Sequence, residues 1–562
     1  MDSDLLNMTD LQNYIPLYRC FFSLNETNYN NINLNHSFKL TKVLKRNTEN
    51  KYLVTVDSKD RGETKKNAFF KLIPLIDPIK YITSNYDSSD NNILKLPSFM
   101  GDTLGITKVR DSNNAAYVDS FFTYLTSFML HECGFIHGVD FYGSYLGIKN
   151  DFMLNIIDDI DYLRDCKSFH ENRGVLYNFD TSFQYELMNR DTRDYKEPIK
   201  FVSGDNDSNI ELSDIEDLDP NIFDDVFAQE PSPTTNNNEV SASLLYDSPT
   251  NAMTTVSSEH SSCKTSASSQ CSSRSSNTSA SGSVCGSASG SVSNNSDYST
   301  MCSSLSIASE DAAFIKIHKF PIQVVALEQC EQTLDTLITT NEVTDEEYGS
   351  IVTQIIMILI TYQKVFGLTH NDLHTNNIMY VKTDRKYLFY KYDGRHYRVP
   401  TFGKIYKIID YGRAIYKFRG SLLCSDSYHP KGDAATQYNF EPYFDSNKTR
   451  VEPNFSFDLC RLGCALYDML LDGFNNEDRK KSPIIEIITG WCLDDKGRNI
   501  LYKNNGEERY PEFKLYKMIA RSVHNHKPSD EIKNIYFEKY YVSKKKIYKQ
   551  KIMNLDNFVS YQ

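Results

Sequence analysis

The sequence predicts an α+β fold in two lobes, a β-rich first lobe and a helical second one, with a long disordered insert in the first. Three observations carry this. Strand-like segments dominate the first 160 residues, whereas the long apolar helix patterns at 348–366 and 457–471 fall in the second half. Composition changes sharply near residue 203. The ordered patterns flanking that stretch complement one another as one fold rather than as two independent domains. With 562 residues and 40% hydrophobic side chains, the chain can bury a sizeable core.

Residues 1–37 read as an N-terminal extension; MDSDLLNMTDLQNYIPLYRC is acidic and lacks the charged-then-apolar pattern of a secretion signal. FKLTKVL (38–44), YLVTV (52–56) and AFFKLIPL (68–75) are rich in β-branched and aromatic residues and predict strands. YVDSFFTYLTSFML (117–130) has helical spacing, and GFIHGVDFYGSYLG (134–147) reads as a further strand, completing a unit over 38–165. The insert covers 166–310 and is disordered from about 203. Asp205–Ala228 carries nine acidic and no basic residues among 24, and Ser257–Ser309 holds 24 serines among 53. Such composition cannot bury enough apolar area to offset its ordering entropy. FPIQVVALEQC (320–330) predicts the last strand of the first lobe, within 311–330. The second lobe, 331–530, opens with the helix YGSIVTQIIMILITYQKVF (348–366). The strand-like IMYVK, YLFYKY, HYRVP and KIYKIIDYG follow, and then the helix FDLCRLGCALYDMLL (457–471). A tail, 531–562, includes IKNIYFEKYYVSKKKIYKQK (532–551), in which lysines interleave with aromatics. It reads as a basic surface helix, or as a contact for nucleic acid, an acidic protein or an anionic membrane.

The net charge of −13 argues against general nucleic-acid binding. Twelve cysteines are scattered without a C-x-x-C pair, which indicates free thiols in a reducing compartment. Cys460 and Cys464 share one helix face and read as core. The longest apolar run, SIVTQIIMILITYQ, falls short of the ~20 residues that span a bilayer. The chain therefore reads as soluble, intracellular and cytoplasmic.

Three clusters single out a site. HNDLHTNN (370–377) packs two histidines, an aspartate and three asparagines between an apolar helix and an apolar strand. A buried turn normally avoids so many groups needing partners. Ile408-Ile409-Asp410-Tyr411-Gly412 sets an aspartate at the end of an apolar strand, and Phe69-Phe70-Lys71 embeds a lysine in another. A buried lysine is costly without a partner, so Lys71 reads as functional. Phosphoryl transfer uses such a set. A carboxylate accepts the hydroxyl proton, an amide oxygen and a second carboxylate hold Mg²⁺ against nucleotide phosphates, and a lysine neutralises phosphate charge. H-x-D-x-x-x-x-N followed by D-[FY]-G is specific as a joint signal.

These residues resemble the protein-kinase superfamily, over roughly 38–160 and 311–530. The resemblance implies a bilobal kinase-like fold and Mg²⁺–ATP-dependent phosphorylation of Ser/Thr hydroxyls in protein substrates. It implies that Asp372 is the catalytic base, that Asn377 and Asp410 are metal ligands, and that Lys71 contacts the phosphates. Leu327-Glu328-Gln329-Cys330 looks like gatekeeper and hinge, with the backbone of Glu328 and Cys330 meeting adenine. Asp458 is similar to the aspartate that opens the kinase F-helix and tethers the catalytic loop, and His370 would orient that loop. Asn371, Thr375 and Asn376 read as ordinary loop residues. His374 stands where common Ser/Thr kinases have lysine, and is either a loop histidine bonding backbone or a substrate contact. D-L-H and an extra hairpin around KYDGRHYRVP (391–400), with Asp393-Gly394 as its two-residue turn, resemble haspin-like kinases. With the KLIPLIDP strand (71–78), the combination also resembles the Ser/Thr kinases of large nucleocytoplasmic DNA viruses, which would extend localisation to a virion.

The chain departs from that pattern in two places. KVLKRNTENKYLVTV (42–56) has no glycine, although glycines let backbone N–H groups approach phosphate. No glutamate stands at the obvious place to pair with Lys71. Asp119 lies on the helix face expected to meet the strand and takes that role, with Glu132 as the fallback. A pseudokinase scaffold is therefore one alternative. A small-molecule phosphotransferase is another, because H-x-D-L-H-x-x-N also resembles antibiotic and choline kinases. Ser425, Ser427 and Tyr428 are candidate activation-segment sites by position. The acidic segment 205–228 suits docking to a partner groove, and its SNIE and SDIE serines suit phosphorylation.

Overall fold

Segments rich in β-branched and aromatic residues pair with one another through most of the first half of the chain. The computed structural model describes residues 3–180, 313–471 and 482–562, apart from 33, 35–37, 59–61, 87–91, 101–105, 342 and 548. Its main sheet contains β1 (Met8–Gln12), β2 (Phe38–Arg46), β3 (Lys51–Ser58), β4 (Gly62–Pro74), β5 (Phe141–Asn155), β6 (Tyr177–Phe179) and β7 (Phe314–Glu328). They lie in the order β1–β5–β7–β4–β3–β2, with β6 also on β7, and every pairing is antiparallel. β2 also touches β5, so the sheet curls. The register sets Lys71 opposite Val325 and Phe69 opposite Leu327, which brings the lysine strand beside the segment 327–330.

Helix α1 (Ala115–Glu132) packs against this sheet. Asn114 starts it, accepting the Ala116 N–H and donating its own amide to the carbonyls of Leu75 and Lys108. Apolar residues surround its axis, among them Tyr117, Val118, Phe121, Phe122 and Leu125, all buried, as expected for a helix covered on more than one side. The helical part contains α2 (Asp345–Phe366), α3 (Phe457–Leu471), α4 (Pro483–Gly490) and α5 (Lys514–Ser522). Thr344 caps α2 and Gly367 ends it at φ +61°, with the Leu368 N–H returning to Tyr362 O. α2 is the one described helix long and apolar enough to cross a membrane, and 94% of that stretch is buried inside the protein. Among the described residues it serves as the core helix.

Short ladders decorate the helical part: β8 (Ile378–Lys382) with β11 (Lys404–Ile408), β9 (Tyr387–Tyr392) with β10 (Arg395–Pro400), and β12 (Ile415–Phe418) with β13 (Ser421–Cys424). The β9–β10 turn at Asp393-Gly394 has φ of +49° and +70°, the left-handed pair that a two-residue turn requires. β14 (Met553–Asn554) adds to β9 in parallel. One apolar core runs from Leu6 through the sheet, α1 and α2 to Leu555, and a smaller one lies under α3 and α5.

Four expectations need correcting or delimiting. The N-terminal extension is partly built into the sheet as β1. The first part of the insert is ordered: Lys167–Asn172 is helical and Tyr177–Phe179 pairs with β7. The disordered stretch from 203, its acidic docking segment and its SNIE and SDIE serines lie outside the described residues. The tail at 532–551 is not one basic surface helix. It is a series of short 3₁₀ turns whose Ile532, Phe537, Tyr540 and Ile547 are buried, the first three within the main apolar core, so these side chains are not a surface face. The eight described cysteines are all free, and Cys460 and Cys464 are buried, as core packing requires.

Candidate active site

Lys71 leaves β4 toward α1 and meets two carboxylates. Its Nζ lies 2.9 Å from Asp119 Oδ2 and 3.1 Å from Asp410 Oδ1. Burial alone would lower the lysine's pKa, but the two carboxylates outweigh it and hold the ammonium charged above the ordinary lysine value. Asp119 is pushed up by burial, which Lys71 opposes. Asp119 also accepts the Tyr411 N–H on Oδ1 at 2.6 Å, so one short side chain ties the sheet to the segment after β11. Glu132 ends α1, thirteen residues or ~20 Å along the axis from Asp119, and is not the partner.

Asp410 and Asn371 both have left-handed backbones, with φ of +66° and +65°. Asn and Asp tolerate this region best among non-glycine residues, and such conformations concentrate at functional sites. Asn371 is not an ordinary loop residue. It is fully buried, donates to the carbonyls of Thr369 and Arg413, and accepts the Tyr438 hydroxyl at 2.7 Å. Thr375 likewise donates to Asp335. Asp458 at the start of α3 accepts the His370 and Asn371 N–H groups at 2.9 and 2.8 Å, which tethers the loop. The His370 ring bridges the Asp372 N–H and the Ile409 carbonyl, and stacks obliquely on Tyr411, which in turn meets Phe122 of α1.

Asp372 is buried, and its Oδ1 accepts the Tyr516 hydroxyl at 2.7 Å. Tyr516 in turn accepts from the buried Arg461 Nε at 2.9 Å, and the Arg413 guanidinium Nη1 lies 3.9 Å from Asp372 Oδ1. Burial would raise this carboxyl, but the Arg413 and Arg461 cations and the Tyr516 hydroxyl hold it well below the usual carboxylate range. Asn377 donates its amide to the Asp372 carbonyl at 2.9 Å and faces His374 Nε2 at 3.1 Å. His374 thus bonds a side chain rather than backbone. Burial lowers its pKa to about 4, against the pull of Asp372, so the ring is neutral and accepts the amide N–H.

Tyr516, Arg461, Arg413 and Tyr438 escaped the sequence reading. Arg461 alone left a signal, as the one cation of a mostly apolar helix, three residues after Asp458. The hinge candidates lie at the end of β7. Leu327 and Cys330 are buried, and burial pushes the Cys330 thiol up to about 12. The Glu328 N–H donates to the Asp140 carbonyl, and its carboxylate accepts the Asp140 N–H and pairs with Lys407, so that N–H is not available to a ligand. In the β2–β3 turn the Asn47 and Thr48 N–H groups donate to the Lys51 carbonyl at 2.8 and 3.2 Å. Ser425, Ser427 and Tyr428 are buried, so modifying them requires the segment to open first.

Among the described residues no three His, Cys, Asp or Glu side chains gather to hold a metal ion. Asn377 and Asp410 offer oxygens only. Neither Oδ1 of Asn377 nor Oδ2 of Asp410 is engaged in a hydrogen bond among the described residues. Such a sparse oxygen set fits Mg²⁺, which keeps waters and substrate phosphates in its shell, better than a metal bound by protein alone.

No family model matches the chain. Over 140 residues, 24% of this chain, it is 30% identical to the serine/threonine-protein kinase haspin of Bos taurus. The chain covers 16% of that relative's length. The similarity is partial, and it is to a protein kinase.

Proposed function

We propose that this protein is a protein kinase that transfers the γ-phosphoryl group of Mg²⁺-bound ATP to Ser/Thr hydroxyls of proteins, on a bilobal kinase-like fold. The observation that carries the reading is one connected set. Lys71 bridges Asp119 and Asp410, and the strand leading to Asp410 bonds the Asp372–Asn377 loop through the Ile409 N–H on the Asn377 carbonyl, 3.0 Å. The partial similarity to a Ser/Thr kinase supports the same chemistry. In this reading Lys71 contacts the nucleotide phosphates and Leu327–Cys330 borders the adenine. Asp372 accepts the acceptor's proton through Oδ2, because Tyr516 occupies Oδ1. The acceptor oxygen bonds the γ-phosphorus as the bond to the bridging oxygen breaks, and ADP leaves. Mg²⁺, when bound, neutralises phosphate charge, and Asn377 Oδ1 and Asp410 Oδ2 are the atoms that would hold it.

Labelled ATP and a pool of protein acceptors test this. Asp372→Asn is expected to lower transfer by roughly 10²–10⁴-fold, and Asp410→Ala to abolish the response to Mg²⁺. Unchanged transfer in Asp372→Asn overturns the assignment of the base. A scaffold without catalysis is the second reading, favoured by the Asn47 and Thr48 N–H groups turning to Lys51 rather than outward. Mg-ATP at ~100 times its Kd would stabilise a binding-competent fold by about 2.7 kcal/mol. No thermal shift at high Mg-ATP selects the scaffold.

A further inference from the structure

Residues 553–562 form a strap that the proposed chemistry does not use directly. It starts beside β9, where Asp556 accepts the Asp393 and Gly394 N–H groups at 2.7 and 3.2 Å. Lys364, in the last turn of α2, donates to the Leu555 and Asp556 carbonyls, both at 2.7 Å. The Gln562 amide then donates to the Gln363 carbonyl, which also accepts the Gly367 N–H, and to the Lys364 carbonyl in the last turn of α2.

Tyr561 joins three elements at once. Its N–H donates to the Val365 carbonyl of α2 at 2.8 Å, and its carbonyl accepts the Arg419 N–H of the β12–β13 turn at 2.6 Å. Its ring lies 5.8 Å from Phe128 of α1, 6.2 Å from Phe366 of α2 and 6.1 Å from Phe418 of β12. Phe418 in turn meets Phe121 of α1 at 5.7 Å, and Phe21 stacks on Phe121 at 4.9 Å. Phe121 lies two residues after Asp119, on the same helix. The face of α1 away from its sheet contacts is thus held by an aromatic cluster, and Tyr561 brings the strap into it.

We propose that Tyr561 is a positioning residue: with the strap 553–562 it fixes α1 against α2 and the β12–β13 hairpin, which keeps Asp119 on Lys71 and on the Tyr411 N–H. Its effect on catalysis rests on the kinase reading, whereas its effect on α1 does not. Interactions of the Tyr561 ring carry the role, so Tyr561→Phe retains it.

The full chain, Tyr561→Ala, Tyr561→Phe and a chain lacking 559–562 distinguish the outcomes. In Tyr561→Ala and the shortened chain, amides of α1 from 119 to 132 are expected to exchange about tenfold faster or more, while those of α3 stay protected. Transfer falls with a raised KM for ATP, and Tyr561→Phe behaves as the parent chain. The shortened chain keeps Met553–Phe558 and serves where Tyr561→Ala folds poorly. Unchanged α1 exchange in a folded variant, or loss of protection spread evenly over the chain, overturns the proposal. If the parent chain transfers no phosphate, the kinase reading fails while the exchange measurement still decides the strap.

Discussion

A neutral imidazole at position 374 joins the Asp372 carbonyl in holding the Asn377 amide, which leaves Asn377 Oδ1 without a hydrogen bond among the described residues. The ring accepts the Asn377 N–H at 3.1 Å, and a protonated ring would set donor against donor. Its folded value of about 4 lies below the ordinary 6.5, so between those values the unfolded chain binds more protons. Stability contributed by His374 is therefore complete above pH 6.5 and is lost as pH falls toward 4, by about 3 kcal/mol at most. Buried His137, between Tyr406 and Tyr390 and also lowered to about 4, acts in the same direction. Urea denaturation at a series of pH values should show this decline. His374→Gln, which keeps an acceptor, should flatten part of it; an identical slope rejects the assignment. In the proposed reading, where Asn377 would hold Mg²⁺, His374→Ala is expected to lower Mg²⁺ affinity by roughly 10–100-fold, the loss typical of a partner that orients a metal ligand; Mg²⁺ titration of the Mg-ATP thermal shift checks it. At this scale the Lys71–Asp119 pair was legible, because a charge set in an apolar segment demands a partner, and the loop 370–377 drew notice by its crowd of polar groups. Tyr516 was not, since it reaches Asp372 from 144 residues away with nothing in its own helix to mark it.

Elements differ in how far their local pattern determines them. β2, β3 and β4 were legible because β-branched and aromatic residues recur in short runs, and the β9–β10 hairpin because Asp393-Gly394 suits one turn type. β1 was not, since MTDLQ is short and mostly polar, and only its pairing with Ile148 and Lys149 of β5 makes it a strand. The tail eluded reading for a related reason: its buried Phe537 and Tyr540 belong to a core built mostly by other elements. α3 joins these levels, because its apolar spacing predicted a helix while its first turn carries a polar duty. Asp458 is fully buried and satisfies two backbone donors. Asp458→Ala leaves both N–H groups unpaired, at a cost of ~1–3 kcal/mol each. Asp458→Asn keeps one acceptor and should cost about half as much. Urea denaturation measures both; equal stability of the Ala variant and the parent chain would show that the tether holds nothing.

Across the whole molecule, the division into a β-rich and a helical half was visible in composition, but the way the two halves share one interior was not. That sharing depends on side chains far apart in sequence. Phe122 of α1 meets Tyr362 and Phe366 of α2 and Tyr411 beyond β11, so the sheet side and the helical side bury the same rings. With an apolar core running from Leu6 to Leu555, neither half can open without exposing surface that the other half covers. The described part of the chain should therefore unfold as one cooperative unit, despite being longer than most two-state domains. Trp491, the single tryptophan, is buried behind α3 and reports on the helical side. Amide exchange in β5 and β7 reports on the sheet. The free energies of opening from the two probes should agree to within about 1 kcal/mol, and Mg-ATP, which the proposed site binds between sheet and helices, should raise both together. A sheet that opens at clearly lower free energy than the surroundings of Trp491, or a nucleotide response confined to one probe, would mean that the shared rings do not couple the two sides.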